Sequence, residues 1–162
     1  MTIPEVLDKL AEFLGDVVKD YTAEMPQLKP NEAIKVYSGY PPVRVSSDAY
    51  ASFICCLADS FNDGEEDSTV TVKIVFSVYC PEEFDQARPM YNLVEHCRQA
   101  MLKSRTLKGR ACLVLPVKGE FSLEQPNPQY QATITAVYTI GQPTEEGFDY
   151  DGYQETRAYA RY

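Results

Sequence analysis

The run Thr69-Val70-Thr71-Val72-Lys73-Ile74-Val75-Phe76-Ser77-Val78-Tyr79 alternates apolar and polar residues almost without a break. Successive side chains of a strand point to opposite faces, so Val70, Val72, Ile74, Phe76 and Val78 share one side. Thr69, Thr71, Lys73, Ser77 and Tyr79 fall on the other, with Val75 as the exception. Such a strand is buried on one face and needs a layer to cover it. The chain supplies one shortly afterwards. Past Cys80-Pro81-Glu82-Glu83-Phe84-Asp85, apolar residues recur at Met90, Leu93, Val94, Cys97 and Met101, with Asn92, Glu95, Gln99 and Lys103 opposite. That is the 3.6-residue period of an amphipathic helix, here predicted to end near Lys103.

A helix is also predicted at the start of the chain. Thr2 is placed as its N-cap, Glu5 as the capping-box partner, and Pro4 falls in the first turn. Ile3, Val6, Leu7, Leu10, Phe13, Leu14, Val17, Val18 and Tyr21 make one stripe, and the pattern predicts an end between Tyr21 and Glu24, ahead of Pro26. Ile34 to Ser38 reads as a short strand broken by Gly39-Tyr40-Pro41-Pro42. Val43 to Ser47 reads as extended and Tyr50 to Ala58 as a buried strand. Asp59 to Asp67, with Asp63-Gly64 inside it, reads as a long acidic hairpin connection. Beyond the second helix, Leu107-Lys108-Gly109 reads as its terminus. Ala111 to Val117 is a strand bent or placed at an edge by Pro116, Lys118-Gly119 a turn, and Glu120 to Glu124 a short strand. Tyr130 to Ile140 closes the series, with Ala132, Ile134, Ala136, Tyr138 and Ile140 on one face.

A length of 162 residues suits one domain with a real core. The net charge of −9 opposes a nucleic-acid-binding surface, which needs a basic stripe. No apolar run approaches the ~20 residues of a membrane span, and no basic stretch followed by an apolar block marks a signal peptide. Five cysteines without a secretory signal indicate reduced thiols in a cytosolic setting. Cys55 and Cys56 point to opposite faces, Cys97 lies on the buried helix stripe, and Cys112 sits in an apolar run. All are read as small packing residues.

Chemistry is hard to find. The acidic segment fails the EF-hand pattern: counting from Asp59, Phe61 stands where an oxygen ligand is needed and Val70 where a glutamate is needed. The lone His96 is next to Cys97, but adjacent helical positions diverge by about 100°, which spoils a nucleophile–base pair. Phosphate-loop, dinucleotide and nucleophile-elbow motifs are missing. The reading is therefore no catalytic residue, no metal ligand and no cofactor. The candidate interaction residues are Asp63, Glu65, Glu66 and Asp67 in the acidic segment, and Phe148, Tyr150, Tyr153 and Tyr159 near the C-terminus. The latter lie in an acidic, Tyr-rich stretch, residues 142–162, that is flexible alone or ordered by a partner.

The blocks Ile34-Lys35-Val36-Tyr37 with Tyr40-Pro41-Pro42, Ser52 to Ala58, the acidic segment, Val70 to Tyr79, Tyr91 to Arg98, and Tyr130 to Ile140 together resemble the tail terminator (tail completion) family of tailed bacteriophages and prophages. The resemblance spans the chain to about residue 141 and rests on apolar patterns rather than chemical signatures. It implies an α/β fold of α+β type, with a mostly antiparallel sheet and two main helices packed on one face. It implies a ring of copies, commonly hexameric, that caps the tail tube, stops its growth and offers a surface for head joining. The implied partners are the chain itself, the major tail tube protein and a head-completion or connector protein, with neither specific nucleic-acid binding nor a membrane. The implied location is the virion tail-neck, after assembly in the bacterial cytoplasm. A different head–tail connector, stopper or minor tail protein is the nearest alternative. A small cytosolic ligand-binding module and an enzyme using Cys97 are rivals of other classes.

Overall fold

The computed structural model describes residues 1–19, 21, 34–42, 52–79, 87–124 and 129–143. Its elements are α1 (Ile3–Lys19), β1 (Lys35–Ser38), β2 (Phe53–Asp63), β3 (Ser68–Tyr79), α2 (Arg88–Lys103), β4 (Thr106–Leu107), β5 (Ala111–Phe121) and β6 (Gln129–Ile140). The six strands form one sheet in the order β1-β2-β3-β6-β5-β4. Only β1 and β2 run parallel; the remaining pairs are antiparallel. The fold is of the α+β class, as the resemblance implies.

The alternation in β3 does what its period requires. Val70, Val72, Ile74, Phe76 and Val78 are fully buried. Across the ladder they meet Tyr138, Ala136, Ile134, Ala132 and Tyr130 of β6. Directly opposed residues share a face, so the two strands present one continuous apolar surface. Val6, Leu10, Leu14 and Val18 of α1 and Met90, Leu93, Val94, Cys97 and Met101 of α2 close over it in a single core. The far face carries Thr69, Thr71, Lys73, Thr133, Thr135 and Thr139, none of them buried.

Local chemistry fixes the ends of α1. The Glu5 carboxylate accepts the Thr2 backbone N–H at 2.7 Å, and the Val6 N–H reaches the Thr2 carbonyl at 3.0 Å. Gly141 donates its N–H to the Met1 carbonyl at 3.1 Å, and a Cβ there would sit 2.9 Å from the Met1 nitrogen. Glycine thus lets β6 end against the start of α1. Gly39, at φ +93°, turns the chain out of β1.

Several expectations change. Within the described residues α1 runs from Ile3 to Lys19, and most of its expected end, Tyr21 to Glu24, lies outside them. β2 continues to Asp63, through residues read as loop, because β3 is long enough to pair with all of it. Ser77, expected on the open face, is buried, and its hydroxyl accepts a hydrogen bond from Gln129 Nε2 at 2.8 Å. Ala111 to Phe121 is one strand, not two. It absorbs Pro116, which follows a cis bond, in an irregularity where four residue steps of β5 face two of β6. α2 ends at Lys103, so Leu107 is not its terminus but half of the strand β4. The expected extended segment Val43 to Ser47 lies outside the described residues.

Phe76→Ala is expected to cost about 3–5 kcal/mol in urea denaturation, since the side chain is fully enclosed. Ser68→Ala should cost nothing measurable, because the buried Ser68 hydroxyl has no hydrogen-bond partner among the described residues to lose.

Candidate functional site

The acidic residues singled out in the sequence come together at one end of the sheet. Asp63 ends β2 opposite Ser68, and Gly64-Glu65-Glu66-Asp67 form the turn, closed by the Gly64 N–H donating to the Asp67 carbonyl at 2.8 Å. Asp63, Glu65, Glu66 and Asp67 are all exposed. Asp63, Glu66 and Asp67 make no ion pair among the described residues. Asp59, further down β2, lies 3.9 Å from Lys73. Gln142, just past β6, donates from Nε2 to the Gly64 carbonyl at 2.9 Å and ties the exit of the last strand to the hairpin tip. Phe148, Tyr150, Tyr153 and Tyr159 lie outside the described residues.

Sequence reasoning missed the shape of this feature. Asp59 is an extra residue between the pairs Ala58↔Val72 and Ser60↔Thr71. A bulge of this kind reverses the facing of everything after it. Phe61 consequently opposes Val70 and stands on the helix-bearing side, yet it is 65% exposed. β1 pairs only with Phe53 to Cys56. From Leu57 to Asp63 the outer edge of β2 has no neighbouring strand among the described residues.

The opposite edge of the sheet is basic. Lys103, Arg105, Lys108 and Arg110 lie within a stretch that holds no carboxylate, and all four are exposed. They surround β4 and the turn into β5, whose Lys108 adopts φ +46° and whose Gly109 adopts φ +70°. Lys108 Nζ reaches Glu12 of α1 at 3.1 Å. The register places this turn level with the acidic tip, because Leu107 pairs with Ala111, Leu113 with Tyr138, and Ile140 with Ser68.

His96 is exposed, as expected, but it is engaged. Its Nε2 is 3.0 Å from the Val17 carbonyl, and the ring stacks on Tyr21 with centroids 4.5 Å apart. A carbonyl only accepts, so Nε2 carries the proton and caps the C-terminal end of α1. Beside it runs a depression of about 490 Å³ lined by Tyr21, Glu95, His96, Gln99 and Lys103, among others. Glu95 is bound within its own helix, accepting from Arg98 Nε at 2.7 Å and Nη2 at 2.8 Å and from Gln99 at 2.7 Å. The Arg98 and Gln99 hydrogen bonds lower its pKa from 4.5 to about 2. A smaller cavity of about 130 Å³ lies between α1 and β4, with Lys9, Glu12, Phe13 and Leu107 in its wall. Among the described residues no cluster of His, Cys, Asp or Glu could hold a metal ion, and no helix is long and apolar enough to cross a membrane.

Cys97 points into the core and His96 outward, so the two do not form a nucleophile–base pair. Burial pushes the Cys56 and Cys97 thiols up to about 12. Cys112 departs from its expected packing role: it is exposed on β5. Its side chain faces away from the helices because Ala111 and Leu113 on either side take the core positions.

No protein-family model matches the chain, and no curated protein matches it.

Under native conditions iodoacetamide should modify Cys112 well before Cys97, as read by peptide mass mapping. Fast alkylation of Cys97 would revive the thiol-enzyme alternative. The depressed pKa of Glu95 contributes stability that is present above about 4.5 and lost as pH falls through about 2. Glu95→Gln should therefore lower the melting temperature at neutral pH, and the difference from the parent should vanish towards pH 2.

Proposed function

We propose that this chain is a tail terminator of a tailed phage or prophage, a structural protein that caps the tail tube as a ring and offers a head-joining surface. The observation that carries the reading is the acidic β2–β3 hairpin beside a length of β2 edge that no strand covers among the described residues. A capping protein works through repeated surfaces around a symmetry axis, and strand edges and hairpins are such surfaces. The blocks that carry the family resemblance are also the elements that build the domain. Ile34 to Tyr37 runs into β1, Ser52 to Ala58 begins β2, Val70 to Tyr79 completes β3, Tyr91 to Arg98 lies in α2, and Tyr130 to Ile140 makes up β6.

The physics of the tip suits this role. Asp63, Glu65, Glu66 and Asp67 repel phosphate, so a tip turned towards the tube channel lets DNA pass without adhering. The virion neck is then the working location and the tube protein and head connector are the partners.

Electron microscopy of particles lacking this chain tests the proposal. Tails of uncontrolled length without heads are the expected result; tails of normal length joined to heads would refute it. Replacing Asp63 and Asp67 by Asn together with Glu65 and Glu66 by Gln is expected to leave the fold intact and to lower infectivity. Unchanged assembly and infectivity would remove the channel role of the tip.

A further inference from the structure

The two edges of the sheet are unlike, and each has what the other lacks. On one side β2 leaves Leu57 to Asp63 without an outer neighbour among the described residues, in a segment that is exposed from Ala58 onward. This length contains neither proline nor lysine, two of the devices that blunt a free edge, and its protection is limited to the bulge and charge at Asp59 and the charge of Asp63. It carries Asp59 and Asp63, leads into Glu65, Glu66 and Asp67, and holds the exposed ring of Phe61 at its centre. On the other side, β4 and its turn carry Lys103, Arg105, Lys108 and Arg110, next to Val114 and Leu115, which are 38% and 46% exposed. Both features lie at the same end of the sheet. No ion pair between described residues joins them within one chain.

We propose that the occupant of the free β2 edge is a second copy of this chain, whose basic β4–β5 turn seats against the acidic hairpin of the first. Opposite potentials steer the encounter and fix which edge meets which. Phe61 against the Val114–Leu115 surface supplies the apolar centre that a charged rim needs around it. The contact joins two different patches, so it is heterologous and is able to propagate from copy to copy until a ring closes. The inference specifies the self-contact of the terminator reading and rests on that reading only for ring closure.

The test is sedimentation velocity at low salt, over a concentration series into the millimolar range, on the full chain and three variants. One reverses the hairpin (Asp63→Lys, Glu66→Lys, Asp67→Lys). One reverses the basic edge (Lys103→Glu, Arg105→Glu, Arg110→Glu). The third is Phe61→Ser. Circular dichroism melting confirms that each variant folds. The parent should self-associate, less so as salt rises, and each reversed variant should associate at least about tenfold more weakly. Mixing the two reversed variants should restore association, since the basic hairpin of one then faces the acidic edge of the other. Phe61→Ser should weaken association without changing its salt dependence.

A parent chain that stays monomeric throughout would overturn the inference. So would reversed variants that associate as well as the parent, or a mixture that does not reassociate. Duplex DNA binding that disappears in the edge-reversed variant while self-association persists would assign the basic edge to nucleic acid instead. Association through these edges without capping of tail tubes would leave the contact standing and sink the terminator reading. Capping that survives both charge reversals would do the opposite.

Discussion

The ladder between β3 and β6 is the constraint on which the rest of the structure depends. Every residue from Ser68 to Tyr79 has a partner between Gln129 and Ile140, with no shift of register along the way. An uninterrupted register keeps the side-chain period in step on both strands, so five buried residues of β3 face five of β6 on one surface. That surface decides where both helices lie, since only one side of the sheet offers enough apolar area to cover their stripes. A one-residue slip would turn Thr71, Lys73 and Val75 inward and leave α1 and α2 without a floor. The remaining strands can tolerate irregularity because this pair does not have any.

The irregularities sit on either side of it. β2 takes up one extra residue at Asp59, and β5 takes up its excess around Pro116. Both occur after a strand has already paired core residues with its neighbour: Ile54 and Cys56 in β2, and Leu113 alone in β5. Bulges near the margins re-aim side chains without disturbing the core. In β2 the effect is to bring Phe61 to the helix-bearing side, opposite the buried Val70, with its own ring still exposed. In β5 the excess of two residues keeps the alternation in phase, so Gly119 and Phe121 share a face with Ile134 and Ala132 as Leu113 does with Tyr138, while Leu115 inside the irregularity stays exposed.

This pattern explains what the sequence makes legible. Periodicity finds the elements buried on one face, and it places α1, β3, α2 and β6 with their inward residues correctly. It fails wherever pairing, rather than burial, makes the strand. Asp59, Ser60, Asn62 and Asp63 have poor strand propensity and no apolar alternation, yet they are strand because β3 runs alongside them. Thr106 and Leu107 are too few to show any period. Pro116 and Gly119 look like breakers, and the geometry of an edge accommodates both. Cys112 looks like core from its apolar neighbours, but its place between Ala111 and Leu113 puts it on the outer face. The acidic candidates are legible as a cluster from the sequence alone; that they crown a hairpin whose outer edge no described strand covers is a matter of strand length, which no local pattern encodes.

The charge distribution follows from the same division between core and margin. A net charge of −9 is not spread evenly over the surface. Carboxylates gather at the β2–β3 turn, and four cations gather around β4, of which only Lys108 has an acidic partner among the described residues, Glu12. Within one chain such segregation gains little, because exposed pairs contribute weakly even when they form and unpaired like charges repel. Glu95 with Arg98 and Lys9 with Glu12 show the alternative: charges on the helices find partners a turn away. Charges at the two sheet margins do not pair with each other, although the register holds them at the same end of the molecule. A fold that neutralises its helices locally and leaves its two sheet edges oppositely charged directs its unsatisfied electrostatics outward. That separation leaves the strongest uncompensated fields among the described residues at the sheet edges and not in the packed interior.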